Sequence, residues 1–338
     1  MSMGQLYLKV LIIMVALFVF MIPGFVLKRM GKIGEGGTLT LSNLLLYVCQ
    51  PMLAIKSFCV FSDDDWAAIQ EMSKLYILKN FAITAAIAAI GYIVMFIICK
   101  LVFIKWKNRS EADVYSFIAI FSNCGFLGLP FIQAFTDNDP MAVMYLMVVN
   151  IIFLIFCWTL GVYLITGNVH FIRPRKVLLN PAIIFSVIGL ILFFVPKINF
   201  FMIESVEYLQ IIPEDLSAMT APLSMIIVGI RLADIHVKNL FNRGGIYLAG
   251  FLRLIIAPAI TLCIGLCFRG LLDYSSAYAE EYVFLAPVIS MAMSPAASVV
   301  AMAETFGGDK QTATTAFVSN TLISIVFIPL AISVAMII

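Results

Sequence analysis

The chain has little charge: Lys, Arg, Asp and Glu together make up 12% of its 338 residues, against 63% hydrophobic residues, and its mean hydropathy is +1.07. Soluble domains carry roughly twice that share of charge, because they have to cover themselves with polar surface. A water-soluble fold is excluded and a polytopic membrane protein is expected. Histidine is scarce as well, with only His170 and His236, both in polar loops. The seven cysteines (Cys49, Cys59, Cys99, Cys124, Cys157, Cys263 and Cys267) are scattered through apolar stretches, with no CxxC pair and no clustering with histidine. They read as small buried or lipid-facing residues. Metal-centred or histidine-based catalysis has almost nothing to build on, so no cofactor and no metal are expected. Acids are missing at depth: all nineteen Asp and Glu fall in loops or at segment ends, Glu304 near an interface. That excludes a carrier working through a midplane aspartate pair, although sodium held by carbonyls, Asn and Ser stays open. The same inventory gives an enzyme no catalytic arrangement within the spans.

What the chain does have is apolar runs. About 20 apolar residues cross the hydrocarbon core as a helix, and ten segments qualify: 6–27, 39–60, 75–103, 113–134, 141–165, 178–196, 215–235, 245–268, 282–304 and 312–337. Their connections are short, such as GKIGEGG and KWKNRS, and leave no room for a soluble domain. The first segment is far longer than a signal peptide's core and is expected to stay in the mature protein. Cytoplasmic loops carry excess Lys and Arg. One set of alternate loops holds twelve (Lys28, Arg29, Lys32, Lys105, Lys107, Arg109, Arg173, Arg175, Lys176, Lys238, Arg243 and Lys310), while the other holds three (Lys74, Lys197 and Arg269). Both termini are therefore expected outside the cytoplasm.

The fourth segment is interrupted by NCGFLGLP, residues 123–130, and the ninth by MSPAAS around Ser294 to Ser298. Unpaired backbone groups cost several kcal/mol each in lipid, so such a break survives only inside protein or beside a cavity. The chain also aligns on itself at half its length: Pro51 meets Pro222, Gly125 meets Pro295 and Val148 meets Val318, at offsets of 171, 170 and 170. Asn150 then falls on Asn320. Five spans per half make the repeat inverted, with residues 1–165 and 166–338 as its halves. Two interrupted spans in corresponding positions point to a transporter's binding site near the midplane. Their half-helix N-termini suit a carboxylate or another anion.

Along nearly its whole length the sequence resembles the auxin efflux carrier family, the bacterial relatives of plant PIN-type exporters. The most specific likeness is SNCGFLGLPF (122–131), with LSNLLLYVCQPMLAIKSF (41–58), NPAIIFSVIGLIL (180–192), APLSMIIVGIRLA (221–233) and PAASVVAMAETFGGD (295–309) beside it. The resemblance implies an all-α membrane fold of ten helices in two inverted five-helix repeats, similar to bile-acid and sodium/proton antiporter folds. Helices 1, 2, 6 and 7 would form a scaffold. Helices 3, 4, 5, 8, 9 and 10 would form a transport domain in which broken helices 4 and 9 cross. It also implies auxin-like or small mono- and dicarboxylate substrates, and a homodimer joined through the scaffold. The long central loop of many plant members is absent, which fits a prokaryotic plasma-membrane protein. No nucleic-acid partner is expected.

Candidate substrate-binding residues follow. Asn123, at the crossing by resemblance, either contacts substrate or repairs broken backbone. Gly125 and Gly128 allow close approach, and Pro130 and Pro295 hold the breaks. Asn150 and Asn320 are either interhelical hydrogen bonders or part of the site. Ser294 and Ser298 flank the second break. Arg253, about nine residues into its span, needs carbonyls, a polar side chain or an anionic substrate as partner. Lys79 is a secondary candidate for an outward vestibule, whereas Lys56, Lys100 and Arg231 lie close enough to span ends to reach the interface. The function expected is alternating-access transport of a small organic anion. The alternative is a membrane sensor that binds such a ligand without moving it.

Overall fold

Long apolar runs leave the backbone no partner but itself, so helices dominate. The computed structural model describes residues 3–34, 36–202, 208–235, 240–271 and 281–336; His236 and Lys238 lie outside them. The principal helices are α1 (Gly4–Arg29), α2 (Gly37–Cys59), α3 (Asp63–Glu71), α4 (Lys74–Val102), α5 (Arg109–Ile120), α6 (Cys124–Phe135) and α7 (Pro140–Thr166). After them come α8 (Pro181–Phe194), α9 (Tyr208–Ala233), α10 (Gly244–Phe268), α11 (Glu281–Ala292), α12 (Ser298–Phe306) and α13 (Lys310–Ala335). Among the described residues seven of these, α1, α2, α4, α7, α9, α10 and α13, are long and apolar enough to cross a membrane.

The other three expected spans come out shorter, each for a local reason. The fourth and ninth are split at their breaks into α5 with α6 and α11 with α12. The sixth is α8, only 14 residues long, because Asn180 caps it by accepting from Ala182 N with Pro181 in the first turn, and Pro196 follows its end. Aspartates open two of the long helices alike: Asp139 accepts from Ala142 N at α7, and Asp309 accepts from Thr312 N at α13. These two caps stand 170 residues apart, the same offset that relates Asn150 to Asn320.

Three helices contain a wide π turn, and α6 begins with one. The turns at Leu45–Cys49, Cys124–Gly128 and Leu252–Ile256 are each followed two residues later by proline, namely Pro51, Pro130 and Pro258. Proline cannot donate to the carbonyl one turn back and its ring crowds that carbonyl, so the preceding turn widens. The fourth, Cys157–Gly161 in α7, has no proline; there Gly161 lies against the ring of Phe117.

Packing sorts the helices. The second part of α1 lies on α9 and its first part on α13, while α2 lies on α8 and on the first part of α9. Elsewhere α11 packs on α4, α7 and α10, α4 packs also on α7 and α10, and α5 packs on α10 and α13. α7 is the most enclosed of the long helices and α1 the least. The contact between α1 and α9 is made backbone to backbone: a Cβ at Gly24 would strike Ile226 O, and one at Gly229 would strike Met21 O. Small residues of this kind let membrane helices approach without a solvent-driven force. Gly229→Ala should therefore push α1 off α9 and cost about 1–3 kcal/mol, as overpacking does. Thermal unfolding in detergent, followed by size-exclusion fluorescence, would register this as a lower midpoint.

Candidate functional site

The two breaks repair each other. Past Ile120 the chain is extended through Ser122, and past Ala292 it is extended around Pro295, the two segments meeting in an antiparallel bridge between Ser122 and Pro295. Asn123 donates its N–H to Ser294 O at 2.7 Å, and Ala296 donates to Phe121 O at 2.9 Å. Asn123 O accepts from Leu127 N at 3.0 Å and Gly128 N at 3.1 Å. Pro295 occupies the position in this pair that needs no N–H.

Four half-helix ends converge here, and the two kinds are treated differently. The C-terminal carbonyls of α5 and α11 are taken by one side chain. Arg253, on the π turn of α10 and 0% exposed, donates through Nη1 to Ile120 O at 2.6 Å and Ala119 O at 3.4 Å. Its Nη2 donates to Met291 O. The N-terminal ends of α6 and α12 have no side-chain cap at all: neither Asn123 nor Ala297 caps its own helix. The dipole therefore meets a fixed cation at its negative ends and leaves its positive ends open.

Those open ends face a cavity of about 130 Å³ that widens into open space at its mouth. Asn123, Gly125, Phe126, Ala296, Ala297 and Ser298 form its deep end. Its walls are mainly apolar and aromatic, with Leu45, Phe153, Trp158, Ile227 and Phe317 among them, and Ser42, Arg231 and Thr305 stand toward helix ends. Arg231 also borders an adjoining surface opening with Asp234 and Lys310, and pairs with Glu304 at 3.7 Å. The far end of α2, about 24 Å from Ser42 at helical rise, is packed with rings. There Phe81 has its centroid 6.3 Å from Phe58, 5.7 Å from Tyr145 and 6.2 Å from both Phe193 and Phe194.

Asn123 and Gln50 line the cavity, and Asn150 lies against Gly125 without lining it. Asn123 is 3% exposed and its Nδ2 has no partner. Gln50 of α2 and Asn150 of α7 flank Gly125: a Cβ there would lie 2.7 Å from Asn150 Oδ1 and closer still to Gln50 Nε2. Gln50 Oε1 and Asn150 Oδ1 are likewise buried without a partner, and Asn150 Nδ2 reaches only Met147 Sδ, at 3.7 Å. A buried amide lacking a partner costs free energy, and of these atoms Asn123 Nδ2 is the donor that borders the cavity.

The remaining expected residues divide. Ser298 lines the cavity, its hydroxyl 3.5 Å from Cys157 Sγ. Gly128, Pro130, Ser294 and Pro295 shape the crossing and do not line the cavity; a Cβ at Gly128 would meet Met293 Cγ at an ordinary 3.4 Å. Asn320 sits away from it, donating to Ile246 O at 3.2 Å and Ala316 O at 2.9 Å against Gly250, which is an interhelical role. Arg253 lies outside the cavity on the carbonyl side of the crossing, and Lys79 is exposed on α4. Gln50 and Ser224 are not among the residues the sequence singles out, and Arg231 is there placed at the interface by its distance from the span end. Gln50 carries a signal, being a polar residue at depth directly before a proline. Ser224 donates to Phe126 O at 3.2 Å and so ties α9 to the first turn of α6.

Residues 9–169 and 165–332 match the family described as "Membrane transport protein". No curated protein matches the chain. The two matched stretches run from the first helix into the last and include both interrupted helices, so the chain belongs to this membrane transport protein family.

Proposed function

We propose that the chain is a secondary carrier for a small organic anion, bound where the interrupted helices cross. The observation that carries this reading is the cavity reaching two uncapped helix N-termini and the unpartnered Nδ2 of Asn123, with Arg231 toward its opening. Donors and partial positive charge in an apolar chamber favour a carboxylate over a cation or a neutral sugar. The apolar and aromatic walls suit a substrate with a hydrophobic body, in keeping with the likeness to auxin efflux carriers.

In this reading ten crossings form two inverted repeats, supported by the paired breaks and by the aspartate caps at the shared offset. The scaffold is α1, α2, α8 and α9, and the remaining membrane helices form the unit that rocks or slides against it. With the basic loops inside the cell membrane, the cavity opens to the cytoplasm and the ring cluster around Phe81 closes the outer side.

Reconstituted in proteoliposomes, the protein should take up radiolabelled malonate or indole-3-acetate. Asn123→Ala and Arg231→Gln should each lower that uptake by about tenfold or more, the loss expected when one hydrogen bond to a charged group is removed. Wild-type rates in both variants, with both folded, would overturn the site. Saturable binding of either probe without flux under any imposed gradient would make the protein a sensor.

A further inference from the structure

We infer that Arg253 is a resident cation, holding with its own guanidinium the position at the crossing that a bound monovalent cation would otherwise take. This rests on the carrier reading only for its consequence, not for its geometry. Carbonyl oxygens at half-helix C-termini are the donor set that coordinates sodium in carriers with broken helices. In this chain three such oxygens, those of Ala119, Ile120 and Met291, converge from two helices on one guanidinium. Met291 Sδ lies 3.5 Å from Nη2, and the side chain is wholly buried. No carboxylate pairs with it among the ion pairs of the described residues, so its counter-charge is the pair of helix dipoles.

A permanent charge at the carbonyl ends has a direct consequence. It cancels the negative pole of the crossing, and the positive pole facing Asn123 and Ala297 acts on the cavity unopposed. The anion's site is thus preformed without a co-bound sodium ion, and truncating Arg253 should open a cation site in its place.

The test is thermal stability in detergent, titrating sodium chloride against choline chloride at constant ionic strength, from about 5 to about 200 mM, for the parent, Arg253→Lys, Arg253→Ala and Arg253→Gln. The parent and Arg253→Lys should respond alike to the two salts. Arg253→Ala, with its cavity, should gain about 4 °C in midpoint from sodium, or from methylguanidinium, over choline, because a ligand selective for the folded state raises its stability. A sodium-specific shift in the parent equal to that of the alanine variant would overturn the inference. So would an alanine variant that is folded and indifferent to every cation. If Arg253→Ala does not survive extraction, Arg253→Gln takes its place, and failure of both to recover in any cation also counts against it. Anion uptake does not enter this readout, so its outcome is separate from that of the carrier reading.

Discussion

Arg253→Met should lower stability by about 2–5 kcal/mol, because it removes the donor from three buried carbonyls. Methionine roughly fills the volume but donates nothing. Ala119 O, Ile120 O and Met291 O would then be left in a dry interior, each unsatisfied carbonyl costing about 1–3 kcal/mol before relaxation. Arg253→Lys keeps the charge and should lose much less. Unlike the alanine variant, Arg253→Met leaves no space for a cation, so added sodium should not restore it. A thermal midpoint for Arg253→Met within a degree or two of the parent, roughly the shift expected from about 1 kcal/mol in a chain this size, would show that the carbonyls find other donors.

Gly125→Ala should abolish transport while leaving the protein folded. Its new methyl would lie 2.7 Å from Asn150 Oδ1 and collide with Gln50 Nε2. Both obstacles are side-chain ends, which can swing aside, whereas the obstacle at Gly229 is the backbone oxygen of Met21. The helix crossing should therefore hold, but the amides around Asn123 would be displaced from the floor of the cavity. A misplacement of this size at a binding site costs about a hundredfold in rate. Uptake in proteoliposomes checks this, with a thermal scan as control. Near-parental uptake would mean that Gln50 and Asn150 only pack against the first turn of α6.

The breaks were legible in the sequence because glycine and proline interrupt a helix by their own covalent structure. The shared offset also links NCGFLGLP to MSPAAS. The sequence did not indicate that their backbones would pair through Asn123 N and Ala296 N, since hydrogen bonds between segments more than 160 residues apart leave no local pattern. Arg253 stood out as a buried cation, but a side chain on a helix can point to any neighbour, and its partners turned out to be carbonyls. Asn150 and Asn320 stand 170 residues apart, at the offset that relates the two breaks, and still differ. The first faces Gly125 at the site, and the second faces Gly250 between α10 and α13.

By itself the sequence determined the membrane setting, the helical class, the places where helices must stop and the absence of midplane carboxylates. Each of these follows from side-chain chemistry or from covalent restriction of the backbone, and neither depends on neighbours. Only the tertiary structure decided which polar groups share a space. It put Gln50 and Asn123 on one cavity with Asn150 behind Gly125, sent Arg253 to the opposite side of the crossing and left two helix N-termini uncapped. In an apolar interior a polar group is defined by what lies within about 3 Å of it, and that distance is set by how the helices pack.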